Sequence, residues 1–174
     1  EVSLANYSFF MGTSNNNLEE LLRVDPKKVC GVKIFMGSST GDMLVDNSET
    51  LNRIFAEVKT LIALHCEVDP MIKTNLERFK LEYGDDVPVT AHHLIRDEAA
   101  CYASSSAAVE MAKRHGTRLH ILHISTAKEL DLFRNDIPLK EKQITAEACT
   151  HHFWFTKDDY ATKGNFIKWN PAVK

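Results

Sequence analysis

Side chains of metal-ligand type interrupt short apolar runs at three places: Lys33 in CGVKIFMG, His65 in LIALHCE and His123 in LHILHI. Each run is followed by a polar loop and then a helical pattern. Strands of a parallel sheet are covered on both faces and read as continuous Val, Ile and Leu, so a Lys or His inside one needs a partner other than its apolar neighbours. Breaks of this kind on separate strands point to strand ends that converge on one shared site.

The rest of the chain fits that pattern. Residues 7–12 read as a strand, 18–24 as a short helix stopped before Pro26, and 29–36 as a second strand. After the loop GSSTGD, Leu51, Ile54, Phe55 and Val58 fall at helical spacing with Asn47 or Ser48 as the cap. A third strand over 61–66 leads to a helix opened by Pro70 and ended near Gly84, followed by a long loop containing DDVPVTAHH. Residues 97–115 form an Ala- and Ser-rich helix closed by Gly116; LHILHI is the fourth strand, 127–133 is helical, ITAEAC is the fifth strand, and FIKWNP closes the chain as an extended segment.

Strands alternating with helices predict a parallel sheet with right-handed crossovers. An open, doubly wound sheet usually carries a glycine-rich phosphate turn after its first strand, and MGTSNNN is not one. A closed barrel of eight units needs about 250 residues. The 174 residues here supply fewer units. The expected fold is therefore α/β, a partial TIM-type (β/α) barrel with parallel strands that lacks the first and last units. Residues 1–174 would be the central part of a single barrel domain. Its two edges would be unpaired, so the chain is expected to continue on both sides, in line with a start at Glu1 that shows neither an initiator Met nor a secretory pattern.

Composition narrows the partners. A net charge of −3 and a pI near 6.3 offer no basic patch for nucleic acid, and no apolar run approaches the ~20 residues of a membrane span. A small-molecule partner is expected, with no nucleic acid and no membrane. Cys30, Cys66, Cys101 and Cys149 lie within apolar patterns at wide spacings without a CxxC pair, which favours buried free thiols and a cytoplasmic location.

The pleat then sorts the candidate ligands. His120 and His123 are three apart on a strand of period two and should face opposite sides of the sheet. His123, beside Ser125 and Thr126, is the better inward ligand, and His120 is expected under a helix. Lys33 lies before its loop by about three residues, and its four-carbon stem would carry the amine to the mouth. A buried lysine can lose its proton, and a neutral amine can capture carbon dioxide to give an anionic carbamate able to bridge two divalent metals. Taken alone, Lys33 would be read as snorkelling or pairing with Glu67 or Glu147; with His65 and His123 on the expected strands the metal reading prevails. No competing nucleophile is apparent, since Ser104, Ser105 and Ser106 sit in a helix body and no GxSxG elbow or P-loop occurs.

The strings GVKIFMGSSTGDMLVDN, LHCE, HHLIRDEAACYASSSAAVEMAKRHGTRLHILHIST, AEACTHHFWFT and FIKWNPAVK, in that order, resemble dihydroorotases of the cyclic amidohydrolase superfamily over essentially the whole chain. The resemblance implies a zinc-dependent hydrolase of cyclic amides that reversibly interconverts N-carbamoyl-L-aspartate and dihydroorotate in pyrimidine biosynthesis. It implies Lys33 as the carboxylated lysine bridging two Zn2+ ions, with His65 and His123 completing the second metal site. Ser39 and Thr40 would lie on a loop reaching over substrate, and Asn170 would match the asparagine of the family's NPP motif. The paired-histidine HxH strand and the proton-transferring aspartate, expected beyond residue 174, fall outside this chain, so the chain alone is expected to be inactive. The intact protein is expected to form a homodimer or higher homo-oligomer.

Three departures from the family pattern stand out: NPAVK for NPPLR, LIRD at Asp97, and His92 followed by His93 where HP is expected. His92, His93, His151 and His152 are read as structural or solvent-facing, with room for one of them to line the pocket. A hydantoinase or dihydropyrimidinase using the same metal cradle, and a non-enzymatic barrel relative, are the alternative readings.

Overall fold

A computed structural model describes residues 3–37 and 43–174. Within them, β1 (Phe10–Gly12), β2 (Gly31–Phe35), β3 (Ile62–His65), β4 (Leu119–Ile121) and β5 (Ile144–Ala146) form a five-stranded sheet in sequential order. Every neighbouring pair is parallel. This is the expected α/β arrangement of an incomplete barrel wall.

Helices α1 (Leu18–Leu22), α2 (Ser48–Glu57), α3 (Asp69–Tyr83), α4 (His92–Ile95) and α5 (Glu98–His115) follow in order, with α6 (Thr150–Trp154) and α7 (Tyr160–Lys163) near the end. Helices α2 and α5 pack on one face. Val32, Ile34, Ile62, Leu64, Leu119 and Ile121 alternate along their strands and pack against Leu51, Ile54 and Phe55 of α2 and Ala108, Val109 and Ala112 of α5. Full burial of each Ile or Phe in that layer contributes about 1.5–3 kcal/mol. The alanines of α5 let its axis come close to the sheet, which explains the small-residue composition of this helix.

Chain punctuation follows the local chemistry. The Asn47 side chain caps α2 by accepting from Thr50 N at 2.9 Å, and Asp97 caps α5 by accepting from Ala100 N at 2.8 Å. The aspartate of LIRD is thus a helix cap. Gly116 ends α5 in the left-handed region at φ 67°.

Residues 127–133 are helical as expected, as a 3-10 helix over Lys128–Leu132. Its tight winding sets the buried Glu129 carboxylate to accept from Ser105 Oγ of α5 at 2.5 Å and from Thr126 Oγ1 at 2.9 Å. One expectation fails: FIKWNP is not extended, since Gly164–Ile167 is a 3-10 turn and the chain then runs irregularly to Val173 and Lys174. Ile167 and Val173 bury themselves beside Tyr160 of α7 instead of joining the sheet.

Gly31 is required by close approach. A Cβ there would stand 2.5 Å from the Leu61 carbonyl oxygen on the neighbouring strand. Gly31→Ala is expected to lower stability by about 2 kcal/mol through forced strand displacement, read as a reduced urea midpoint at constant m value.

Candidate active site

The sheet face opposite α2 and α5 carries the polar side chains. One transverse row runs Gly12, Lys33, Ala63, His120, Thr145 through the strand register, and the next row on the same face pairs Phe35 with His65. Lys33 and His65 therefore share the inward face by simple alternation.

His123 reaches that face by a different route. Strict alternation after His120 would aim it outward, but β4 ends at Ile121 and His123 has φ 40°. A non-glycine residue in the left-handed region is strained, and here the turn brings the imidazole back over the strand ends. His65 Nδ1 and His123 Nε2 stand 3.3 Å apart, with ring centroids separated by 4.9 Å. The expected placement of His120 under a helix is overturned: its Nδ1 lies 2.8 Å from Thr145 Oγ1 and its Nε2 3.2 Å from Glu147 Oε2, all on the inward side. The error came from extending the strand's period past its end.

The protonation of the two histidines follows from their partners. His65 Nε2 faces the buried Glu67 Oε2 at 2.8 Å, so that nitrogen carries the proton and Nδ1 presents its lone pair toward His123. Arg96 Nη1 donates to the same carboxylate oxygen of Glu67. Burial, followed by the charges of His65 and Lys33, pushes His123 down to about 4, so it is neutral at pH 7. Its Nδ1 is buried and without a hydrogen-bond partner among the described residues.

Lys33 completes the group. Its Nζ is buried, has no hydrogen-bond partner among the described residues, and lies 4.3 Å from the centroid of the Phe35 ring. Burial pushes the amine down to about 8, against the opposing fields of Cys66 and Glu147. Pairing with Glu67 or Glu147 by hydrogen bond does not occur among the described contacts.

These features fit a small divalent cation. Two nitrogens at ~2.0–2.1 Å from a tetrahedral zinc ion would be about 3.3–3.4 Å apart. The observed separation of 3.3 Å matches that edge. A carboxylate on the far nitrogen of His65 is the usual support for a ligating imidazole. The orphaned amine of Lys33 is open to carboxylation.

The remaining expected site residues are dispersed. Asn170 lies on the wall of a separate cavity of about 360 Å³ that it shares with His92, Arg96 and Lys168. Arg96 connects that cavity to Glu67 and hence to His65. Ser39 and Thr40 fall outside the described residues. Glu67 and Arg96 were not anticipated as parts of the site, although a Glu two positions after an inward His was a readable sign. His92 Nε2 donates to Trp169 O at 2.7 Å, and His93 stacks on Tyr160 with a centroid distance of 5.9 Å. Both tie helix α4 to the chain's last segments.

All four cysteines are free; Cys66 and Cys101 are buried, whereas Cys30 is exposed and departs from the expected burial. Burial pushes Cys66 up to about 12, despite the hydroxyls of Ser104 and Ser105. The unfolded thiol ionises near 9.0, so the stabilising contribution is intact below that pH and lost as pH rises from 9.0 to about 12. Alkaline denaturation is expected to steepen in that window by on the order of 1.4 kcal/mol per pH unit, and Cys66→Ala should remove the effect in urea titrations at pH 8 to 11.

No family model matches the chain. The chain is similar to the dihydroorotase of Methanosarcina mazei, 31% identical over 150 residues, covering 82% of this chain and 32% of that protein. It is similar to the allantoinase of Bacillus velezensis, 25% identical over 176 residues, covering 99% of this chain and 38% of that protein. The solved L-hydantoinase (dihydropyrimidinase) from Arthrobacter aurescens shares the fold with a TM-score of 0.85 at 22% identity, over 97% of this chain and 38% of that one. The chain spans about a third of the length of the curated relatives it matches.

Parallel strands in sequential order, helices on one side and a polar inward face define a stretch of amidohydrolase-superfamily barrel. Within that superfamily the chain is dihydroorotase-like. No helix among the described residues is long and apolar enough to cross a membrane.

Proposed function

We propose that the protein is a metal-dependent cyclic amidohydrolase, a dihydroorotase that interconverts N-carbamoyl-L-aspartate and dihydroorotate in pyrimidine biosynthesis. The observation that carries this reading is the 3.3 Å approach of the His65 and His123 ring nitrogens on the face that holds Lys33. Similarity to dihydroorotases supports the choice of substrate.

In this reading His65 Nδ1 and His123 Nε2 hold one zinc ion, and Lys33, carboxylated, joins it to a second. A bound pair of divalent ions supplies polarisation of the ring amide carbonyl and a water that is nucleophilic at neutral pH. Glu67 keeps His65 in the tautomer that frees Nδ1, and Arg96 holds Glu67 in place. His120 and Glu147 form a polar pair on the same face. Asn170, on the cavity that Arg96 joins to Glu67, would take up substrate from that side; Ser39 and Thr40, proposed for substrate binding, lie outside the described residues. Residues 1–174 are the central part of one barrel domain whose other strands provide the second metal's ligands and the proton-transferring aspartate. The protein acts in the cytoplasm on a small molecule and assembles as a homo-oligomer.

A hydantoinase or dihydropyrimidinase reading is supported by the fold shared with L-hydantoinase and by the allantoinase relative. Side-by-side assays of the complete protein on dihydroorotate, hydantoin and allantoin, with metal analysis and a mass search for one added carbon dioxide on the Lys33 peptide, decide between them. Turnover of dihydroorotate at least tenfold above the others, with zinc bound, is expected. Preference for hydantoin, or a metal-free preparation that still turns over dihydroorotate, would overturn the reading.

A further inference from the structure

A second group of ligand-type side chains lies just beyond β5. Cys149, His151 and His152 each offer one ligand atom, and these atoms all lie within 4.8 Å of one another. None of the three belongs to the set formed by Lys33, His65 and His123.

Sequence spacing does not make this arrangement automatic. Consecutive residues on a helix point about 100° apart, so adjacent histidines normally diverge. Here the rings of His151 and His152 face each other at a centroid distance of 4.3 Å with 57° between planes. His151 is held by stacking on Trp169 at 4.7 Å, 18° from parallel. His152 is fixed by its Nε2, which donates to Pro171 O at 3.2 Å. Its Nδ1 is thereby left as a lone-pair atom, buried and without a hydrogen-bond partner among the described residues. Cys149 occupies the N-cap of α6, yet its side chain makes no capping hydrogen bond. An N-cap side chain overhangs the first turn, which here places the sulfur beside the two rings.

We propose that Cys149, His151 and His152 form a binding site for a thiophilic divalent cation of the zinc class, separate from the Lys33, His65 and His123 cradle. Sulfur with imidazole nitrogen selects zinc or cobalt(II) over magnesium or calcium, which demand oxygen. Ligand atoms around a tetrahedral zinc ion stand roughly 3.3–3.7 Å apart. The observed separations, all within 4.8 Å, exceed that edge by about 1 Å at most. Binding displaces the thiol proton to solvent and leaves a fourth coordination position for water. An ion there also ties α6 to the segment 169–171 through the Trp169 stack and the Pro171 carbonyl. The site stands whether or not the protein is a dihydroorotase.

Cobalt(II) titration of the chelator-stripped complete protein tests this, because a cobalt–thiolate bond gives a near-ultraviolet charge-transfer band that a nitrogen and oxygen site cannot produce. The band is expected to saturate at the intensity of one thiolate-bound cobalt per chain, to vanish in Cys149→Ser, to need at least tenfold more cobalt in His151→Ala, and to persist in His65→Ala. Circular dichroism identifies any variant that fails to fold, and His151→Ala then decides in place of Cys149→Ser. Absence of the band in the cobalt-loaded wild type would overturn the proposal. So would a band that survives both Cys149→Ser and His151→Ala, or one that is lost only in His65→Ala, which would assign the thiolate to Cys66.

Discussion

Lys33→Ala, in the complete protein, is expected to lower kcat on dihydroorotate on the order of 10³-fold, about 4 kcal/mol in the barrier. The wild-type amine is buried, has no hydrogen-bond partner among the described residues, and is pushed down to about 8, so a neutral fraction exists at physiological pH to be carboxylated. Alanine removes the amine whose carboxylation the proposed function requires. The metal content should fall by about half, from two ions toward one, as the bridge is lost. Because the residue sits on β2 with its stem among packed neighbours, the truncation also leaves a slot. A short carboxylic acid such as acetate fits the chemistry of the missing group and should restore part of the activity at millimolar concentration. Unchanged turnover with unchanged metal content would remove Lys33 from the mechanism. Lost turnover with full metal content and no response to acetate would assign it a positioning role.

Arg96→Met is expected to destabilise the fold by about 3–5 kcal/mol, the usual effect of removing one partner from a buried ion pair. Glu67 is fully buried, and its carboxylate oxygen Oε2 receives both Arg96 Nη1 and His65 Nε2. Without the guanidinium, that carboxylate keeps its burial and loses its cationic neighbour. The measurement is the urea midpoint and Tm of the metal-free protein. A second variant separates charge from packing: Glu67→Gln in the Arg96→Met background should recover most of the loss, since no buried charge then remains. In the double variant His65 also loses the carboxylate that fixes its tautomer, so zinc affinity should drop 10- to 100-fold there. A destabilisation below about 1 kcal/mol would mean that solvent reaches Glu67 more freely than its burial indicates.

The sheet was readable from the sequence because each strand announces itself twice, by its apolar run and by the helix that follows. Lys33 and His65 were readable for the same reason, as polar breaks in runs that otherwise alternate correctly. The ion-paired support behind them was harder to see. Glu67 follows His65 at the spacing of two that keeps it on the same face, but Arg96 is the C-cap of α4, a helix of 4 residues too short to show any hydrophobic period. Short helices α6 and α7, of 5 and 4 residues and without side-chain caps, are illegible for the same physical reason: neither is long enough to show a repeat. His120 was misplaced because a rule for extended backbone was carried across the point where the backbone stops being extended.

At position 123 the imidazole points inward only because its own main chain bends against the ordinary preference of an L-residue. Substitutes that tolerate the bend well, glycine and asparagine, bring no imidazole, and branched aliphatic residues satisfy neither demand. Contour and chemistry are therefore locked into one residue type, and a library that diversifies this position should return histidine or nothing active.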